Sequence, residues 1–147
     1  MINRLNLITL SLALLATLFP TGCSTADANL APATTFNRSS PLIVEDSTDT
    51  GKAIEAELLA NGFNVFTIEP KDAAAPAGQT FIVRLVVRRS WRGVVTGVVP
   101  GTITLTIADA RSGAVAATAS YDLGSMSYNS THDAAKAVVA ALASKVR

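Results

Sequence analysis

Hydrophobic and polar residues alternate most regularly between Thr80 and Arg88. Phe81, Val83, Leu85 and Val87 fall on one side of an extended backbone, with Ile82, Arg84, Val86 and Arg88 on the other. A second alternating run, Thr102 to Ala108, sets Ile103, Leu105 and Ile107 against Thr102, Thr104 and Thr106. Each predicts a strand with one face in a core and one face in water. Val115 to Tyr121 predicts the partner of the second strand. The Asp109–Gly113 stretch between them reads as a hairpin loop, with glycine where φ turns positive. Leu42-Ile43-Val44 predicts a short buried strand, and Phe63 to Ile68 another. Pro70 to Gly78 reads as a loop. Ser90 to Gly93 predicts a turn carrying Trp91, Val94 to Val99 continues extended, and Pro100-Gly101 marks a bulge or turn.

Two segments switch to the helical period. Lys52 to Ala60 places Ile54 and Leu58 one turn apart, after the capping oxygens of Asp46, Ser47 and Thr48, with Asp49 in the first turn. Asn61-Gly62 supplies the stop. Near the end of the chain, Ala135, Val138, Val139, Leu142 and Val146 form an apolar stripe behind a cap at Ser130 or Thr131, with Asp133 in the first turn. Two such helices beside a half-buried sheet predict an α+β two-layer sandwich. The expected sheet is mixed, with four to five strands and both helices packed on one face.

The amino-terminal pattern is different in kind. Arg4 and the free amino group precede an apolar run from Leu5 to Phe19, then Pro20, Thr21 and Gly22 lead into Cys23, the only cysteine. The run is about 15 residues, short of the roughly 20 a spanning helix needs, and its three-part layout is that of a secretory signal. Leu18, Gly22 and Cys23 resemble the lipobox of bacterial lipoproteins, with Pro20 standing where that pattern usually has leucine. The resemblance implies cleavage before Cys23 and acylation of its sulfur and amino group by chains such as palmitate. Ser24 resembles the sorting signal for the outer membrane, which implies a periplasmic-facing, lipid-anchored domain. Two or more acyl chains, at about 0.8 kcal/mol per buried methylene, hold a protein stably on a bilayer.

Residues 1–22 thus read as signal peptide and 23–40 as the lipidated cysteine with a flexible tether. That tether is rich in Ala, Thr, Ser, Asn and Pro and poor in large apolar side chains, and as a random coil it would span about 20–25 Å. Residues 41–147 read as one domain. Removing Arg4 from the 12 basic side chains leaves 11, against 11 acidic ones, which argues against bulk nucleic-acid binding. The charges are unevenly placed: acids dominate Pro41 to Gln79, whereas Arg84, Arg88, Arg89, Arg92 and Arg111 face Asp109 alone between Thr80 and Ser112.

Catalytic chemistry finds few candidates. His132 is the only histidine and reads as a surface residue in a first helical turn. With one histidine and one cysteine, the chain lacks a zinc set, and its serines lie in no Gly-x-Ser-x-Gly elbow. No catalytic residue, metal or cofactor is expected. The one constellation suited to a ligand is Arg84, Arg88, Arg89, Trp91 and Arg92, where guanidinium groups would grip phosphates or carboxylates and an indole suits an interface. Its bland alternative is a solvated strand face.

The helix end Leu58-Leu59-Ala60-Asn61-Gly62-Phe63-Asn64-Val65, the run Val94-Val95-Thr96-Gly97 and the hairpin Ile107 to Val115 are similar to periplasmic lipoprotein domains of two kinds. These are the curli-secretion lipoprotein and the amino-terminal domain of the Tol-Pal β-propeller protein. That resemblance implies a docking or assembly module in the cell envelope with a protein partner, and no enzyme. The pore-forming hairpins of curli secretion have no counterpart in this chain, and its oligomeric state stays open.

Overall fold

A computed structural model describes residues 24–66, 78–91, 98–122 and 130–147 of the chain. Cys23, Arg92 and the expected signal peptide lie outside the described residues, as do most of the Pro70–Gly78 loop and the side chains of Ser90, Trp91 and residues 98–100.

The elements in chain order are β1 (Thr25–Leu30), β2 (Leu42–Val44), α1 (Asp49–Ala60), β3 (Val65–Phe66), β4 (Phe81–Trp91), β5 (Val98–Asp109), β6 (Val115–Asp122) and α2 (Thr131–Lys145). One six-stranded sheet has the order β1-β6-β5-β4-β2-β3. Strand β2 pairs parallel with β3 and β4, and the other pairings are antiparallel. The sheet is therefore mixed and the fold α+β as expected, but with six strands in place of four to five.

The additional strand is β1, and it overturns the tether. Thr25–Leu30 pairs along its whole length with β6, from Thr25 opposite Asp122 to Leu30 opposite Ala117. Composition pointed the wrong way because Ala, Asp and Asn are poor strand formers in isolation. Alternation decides instead: Ala28 is buried under α2 while Asp27 and Asn29 face water. The segment after β1 is held too. Phe36, 5% exposed, stacks on Phe63 at 6.2 Å and meets Phe81 edge-on at 5.1 Å. Burying a phenylalanine contributes about 1.5–3 kcal/mol.

The helices form as their sequences dictate. Thr48 caps α1, its side chain accepting from the Gly51 N–H, and Gly62 turns the chain at φ 79°. Ser130 caps α2 in a reciprocal box: its hydroxyl accepts from the Asp133 N–H, and the Asp133 carboxylate accepts from the Ser130 N–H. The whole α2 stripe is buried, from Ala135 through Val138, Val139 and Leu142 to Val146. It packs on β1, β6 and β5 beside α1, over Val83, Ile103, Leu105, Ile107 and Tyr121. Both helices cover one face of the sheet.

Candidate functional site

The other face of the sheet carries the residues singled out by sequence, and strand register fixes where each one stands. Thr25, Asp122, Thr102 and Arg88 form one row across β1, β6, β5 and β4. Asp27, Ser120, Thr104 and Val86 form the next same-face row, followed by Asn29, Thr118, Thr106 and Arg84. Hydroxyls, carboxylates and one carboxamide thus occupy three strands, while β4 alternates arginine with valine. Val86 is 60% exposed on this face, and Phe66, beside Ile43 at the far edge, is 39% exposed. A hollow of about 430 Å³ opens over Val86, Arg88, Thr102, Thr104, Ser120 and Asp122.

The arginine constellation does not converge. The Arg84 guanidinium Nε lies 3.2 Å from Glu45 Oε2, so this charge is matched locally. Arg88 shares its face but stands two rows away, and Arg89, the next residue along the strand, projects to the opposite side. Both are exposed, and among the described residues neither forms an ion pair. The expected turn at Ser90 to Gly93 is overturned at its first two residues, and Arg92 and Gly93 lie outside the described residues. Ser90 and Trp91 continue β4, paired with Val99 and Val98. Register slips between Arg88 and Arg89, where Gly101 on β5 has no opposite number, so Pro100-Gly101 is a bulge. Proline within a sheet is tolerated at bulges, and Pro100 stands beside this one.

Sequence reasoning missed a polar chain at the other end of the sheet. Asp109 Oδ1 accepts from the N–H groups of Ser112 (2.7 Å) and Arg111 (3.0 Å) and from the Ser112 hydroxyl (2.9 Å). Its Oδ2 accepts from Gln79 Nε2 at 2.8 Å, and Gln79 Oε1 accepts from Thr35 Oγ1 at 2.9 Å. These donors, the Ser112 N–H foremost, pull the Asp109 carboxyl from 3.8 down to about 2. The Asp133 carboxyl is likewise lowered, chiefly by the Ser130 hydroxyl. A hollow of about 230 Å³ lies beside the polar chain, where the polar groups of Thr35, Gln79, Asp109 and Ser112 are engaged with one another and Phe81, Val115 and several alanines supply the rest of the lining. His132, exposed in the first turn of α2, lies 3.6 Å from Glu57 of α1. Among the described residues no three side chains of the metal-binding types gather, and no helix is long and apolar enough to cross a membrane.

Neither a family model nor a curated protein matches the chain. Among solved structures it is similar to the PelC dodecamer from Paraburkholderia phytofirmans, with a TM-score of 0.54 at 20% identity over 84% of this chain and 98% of that one. It also matches a PDZ domain protein from Parabacteroides distasonis (TM-score 0.45, 13% identity, 92% of this chain and 39% of that one). A minor lipoprotein from Acinetobacter baumannii gives a TM-score of 0.33 at 18% identity, over 75% of this chain and 87% of that one. The last two scores are too low to compare folds, so the likeness in fold rests on PelC.

Proposed function

We propose that this chain is a non-enzymatic lipoprotein, anchored through Cys23 in the periplasmic face of the outer membrane, whose α+β domain docks onto another component of the envelope. The observation that carries the docking role is the sheet face that no element among the described residues covers. Among the described residues the two helices cover the centre of one side, while the other presents Val86 and Phe66 to solvent amid rows of hydroxyl and charged groups. A sheet face that carries apolar side chains among hydroxyl and charged groups has the mixed composition of a protein interface. The similar PelC structure is a dodecamer, which makes further copies of this chain one form such docking would take. Photo-crosslinking in cells from position 86 tests the proposal. A discrete adduct, with an envelope protein or with a second copy, supports it. Absence of any adduct at 86, alongside productive crosslinking from a solvent-facing control such as Lys136, refutes it.

A second reading is kept because Arg88 and Arg89 are exposed and form no ion pair among the described residues. The end of β4 would then bind an anionic glycolipid or glycan of the envelope, with Trp91 and Arg92 as neighbours. Such binding weakens steeply with ionic strength, whereas docking through Val86 does not.

A further inference from the structure

The hollow on the open face is lined by polar side chains that the fold leaves unengaged. It measures about 430 Å³ and is walled by Val86 and Arg88 of β4, Thr102 and Thr104 of β5, and Ser120 and Asp122 of β6. Register sets these six in two rows, Arg88, Thr102 and Asp122 in one and Val86, Thr104 and Ser120 in the next. Arg88 and Asp122 therefore stand two strand spacings, or about 10 Å, apart at their backbones. One hydroxyl lies between them, and two more lie in the row about 7 Å along the strands. Among the described residues, none of these five polar side chains forms a hydrogen bond or ion pair. At the far end of the sheet, by contrast, Thr35, Gln79, Asp109 and Ser112 satisfy one another.

We propose that this hollow binds a short saccharide of the uronic acid type, its carboxylate on Arg88 and its hydroxyls against Thr102, Thr104, Ser120 and Asp122. This rests on the second reading, that the chain binds a glycan of the envelope, and it moves the contact from the end of β4 into the hollow.

The chemistry of the lining selects the ligand class. Sites of this volume for small molecules are mostly apolar, with a few polar groups that fix orientation. Here the proportions are reversed, so the ligand that fits is polar over most of its surface. The three hydroxyls donate and accept, the carboxylate accepts, and the guanidinium only donates. A sugar matches that mixture, because each of its hydroxyls does both, and its C–H edges suit Val86. Arg88 takes an acidic substituent through a two-pronged contact. Arg84, two rows away, is already matched by Glu45 at 3.2 Å, and Arg89 projects to the opposite side of the strand. The hollow therefore suits one acidic group rather than a run of them. Asp122 does not oppose that group, since its strand lies about 10 Å from Arg88 and salt screens charges beyond roughly 8 Å.

The test titrates the full-length protein, in neutral detergent, with a hyaluronan disaccharide and with its uncharged counterpart diacetylchitobiose, followed by protein NMR. The acidic sugar should bind more tightly and shift the amides of Thr104 and Ser120. Arg88→Gln should weaken it about tenfold or more, the worth of a charge-assisted hydrogen bond, and should abolish the preference over the neutral sugar. Asp122→Asn should weaken both sugars, and Arg89→Gln should weaken neither. All three side chains are exposed, so thermal midpoints should stay unchanged. Binding that survives Arg88→Gln and Asp122→Asn but is lost in Arg89→Gln overturns the hollow and leaves glycan binding at the end of β4 standing. Equal binding of the two sugars by the unaltered protein overturns the contact between Arg88 and the carboxylate. Binding of neither sugar overturns the hollow and the glycan reading together.

Discussion

The Arg38 guanidinium donates from Nη2 to the backbone carbonyl of Ala143 at 2.7 Å, tying the loop between the first two strands to the end of the last helix. The same group donates from Nε to Val146 O at 3.1 Å and from Nη1 to Asn61 O at 3.2 Å, and lies 5.8 Å from the Phe63 ring centroid. Carbonyls at helix ends lack intrahelical donors, and one cation satisfies them on both helices.

Removing that cation strands several acceptors at once. Arg38→Ala should lower unfolding free energy by about 2–3 kcal/mol in urea titrations, since hydrogen bonds to charged groups contribute about 1.5–3 kcal/mol. Arg38→Lys should recover less than half, because an ammonium cannot fork to three carbonyls.

Strand β1 is tested by placing a charge on its buried side. Ala28 is 2% exposed, so Ala28→Asp should cost about 3 kcal/mol or more and lower the thermal midpoint clearly. The neighbouring exposed change Asn29→Asp should leave it nearly unmoved. A flexible tether would tolerate both equally.

At Gly51 two effects oppose each other. Alanine is the better helix former by about 1 kcal/mol, but a Cβ there would run into the backbone carbonyl of Asp46. Steric overlap with backbone dominates, so Gly51→Ala should destabilise the fold despite its propensity gain. Chemical denaturation gives the sign.

Acid stability follows from Asp109. Its folded value is depressed from 3.8 to about 2, so its contribution is present above about pH 4 and is lost as pH falls towards 2. Asp109→Asn should reduce stability at pH 7 and flatten the dependence between pH 4 and 2, as followed by thermal midpoints across that range. Asp133, lowered for a related reason, retains its own share in that variant.

Periodicity carried most of the fold because it reports burial directly. The α2 stripe, the β4 and β5 alternations, the Ser130 cap and the Pro100-Gly101 bulge all stand where pattern and turn chemistry put them. What was illegible depended on contacts distant in sequence. Thr25–Leu30 alternates, yet its residue types speak for coil, and only pairing with β6 makes it a strand. Arg38 acquires its role from carbonyls 105 and 108 positions away. In the site, alternation gave Arg84 and Arg88 a common face, whereas the Glu45 partner of Arg84 and the strand conformation of Trp91 required the folded sheet.

Attachment of lipid at Cys23 underlies the proposed localisation. Mass spectrometry of the protein extracted from outer membranes tests it most directly. The expected product begins at residue 23 and carries acyl chains on that cysteine. A chain that keeps residues 1–22, or one that starts at Cys23 with a free thiol, would contradict the account.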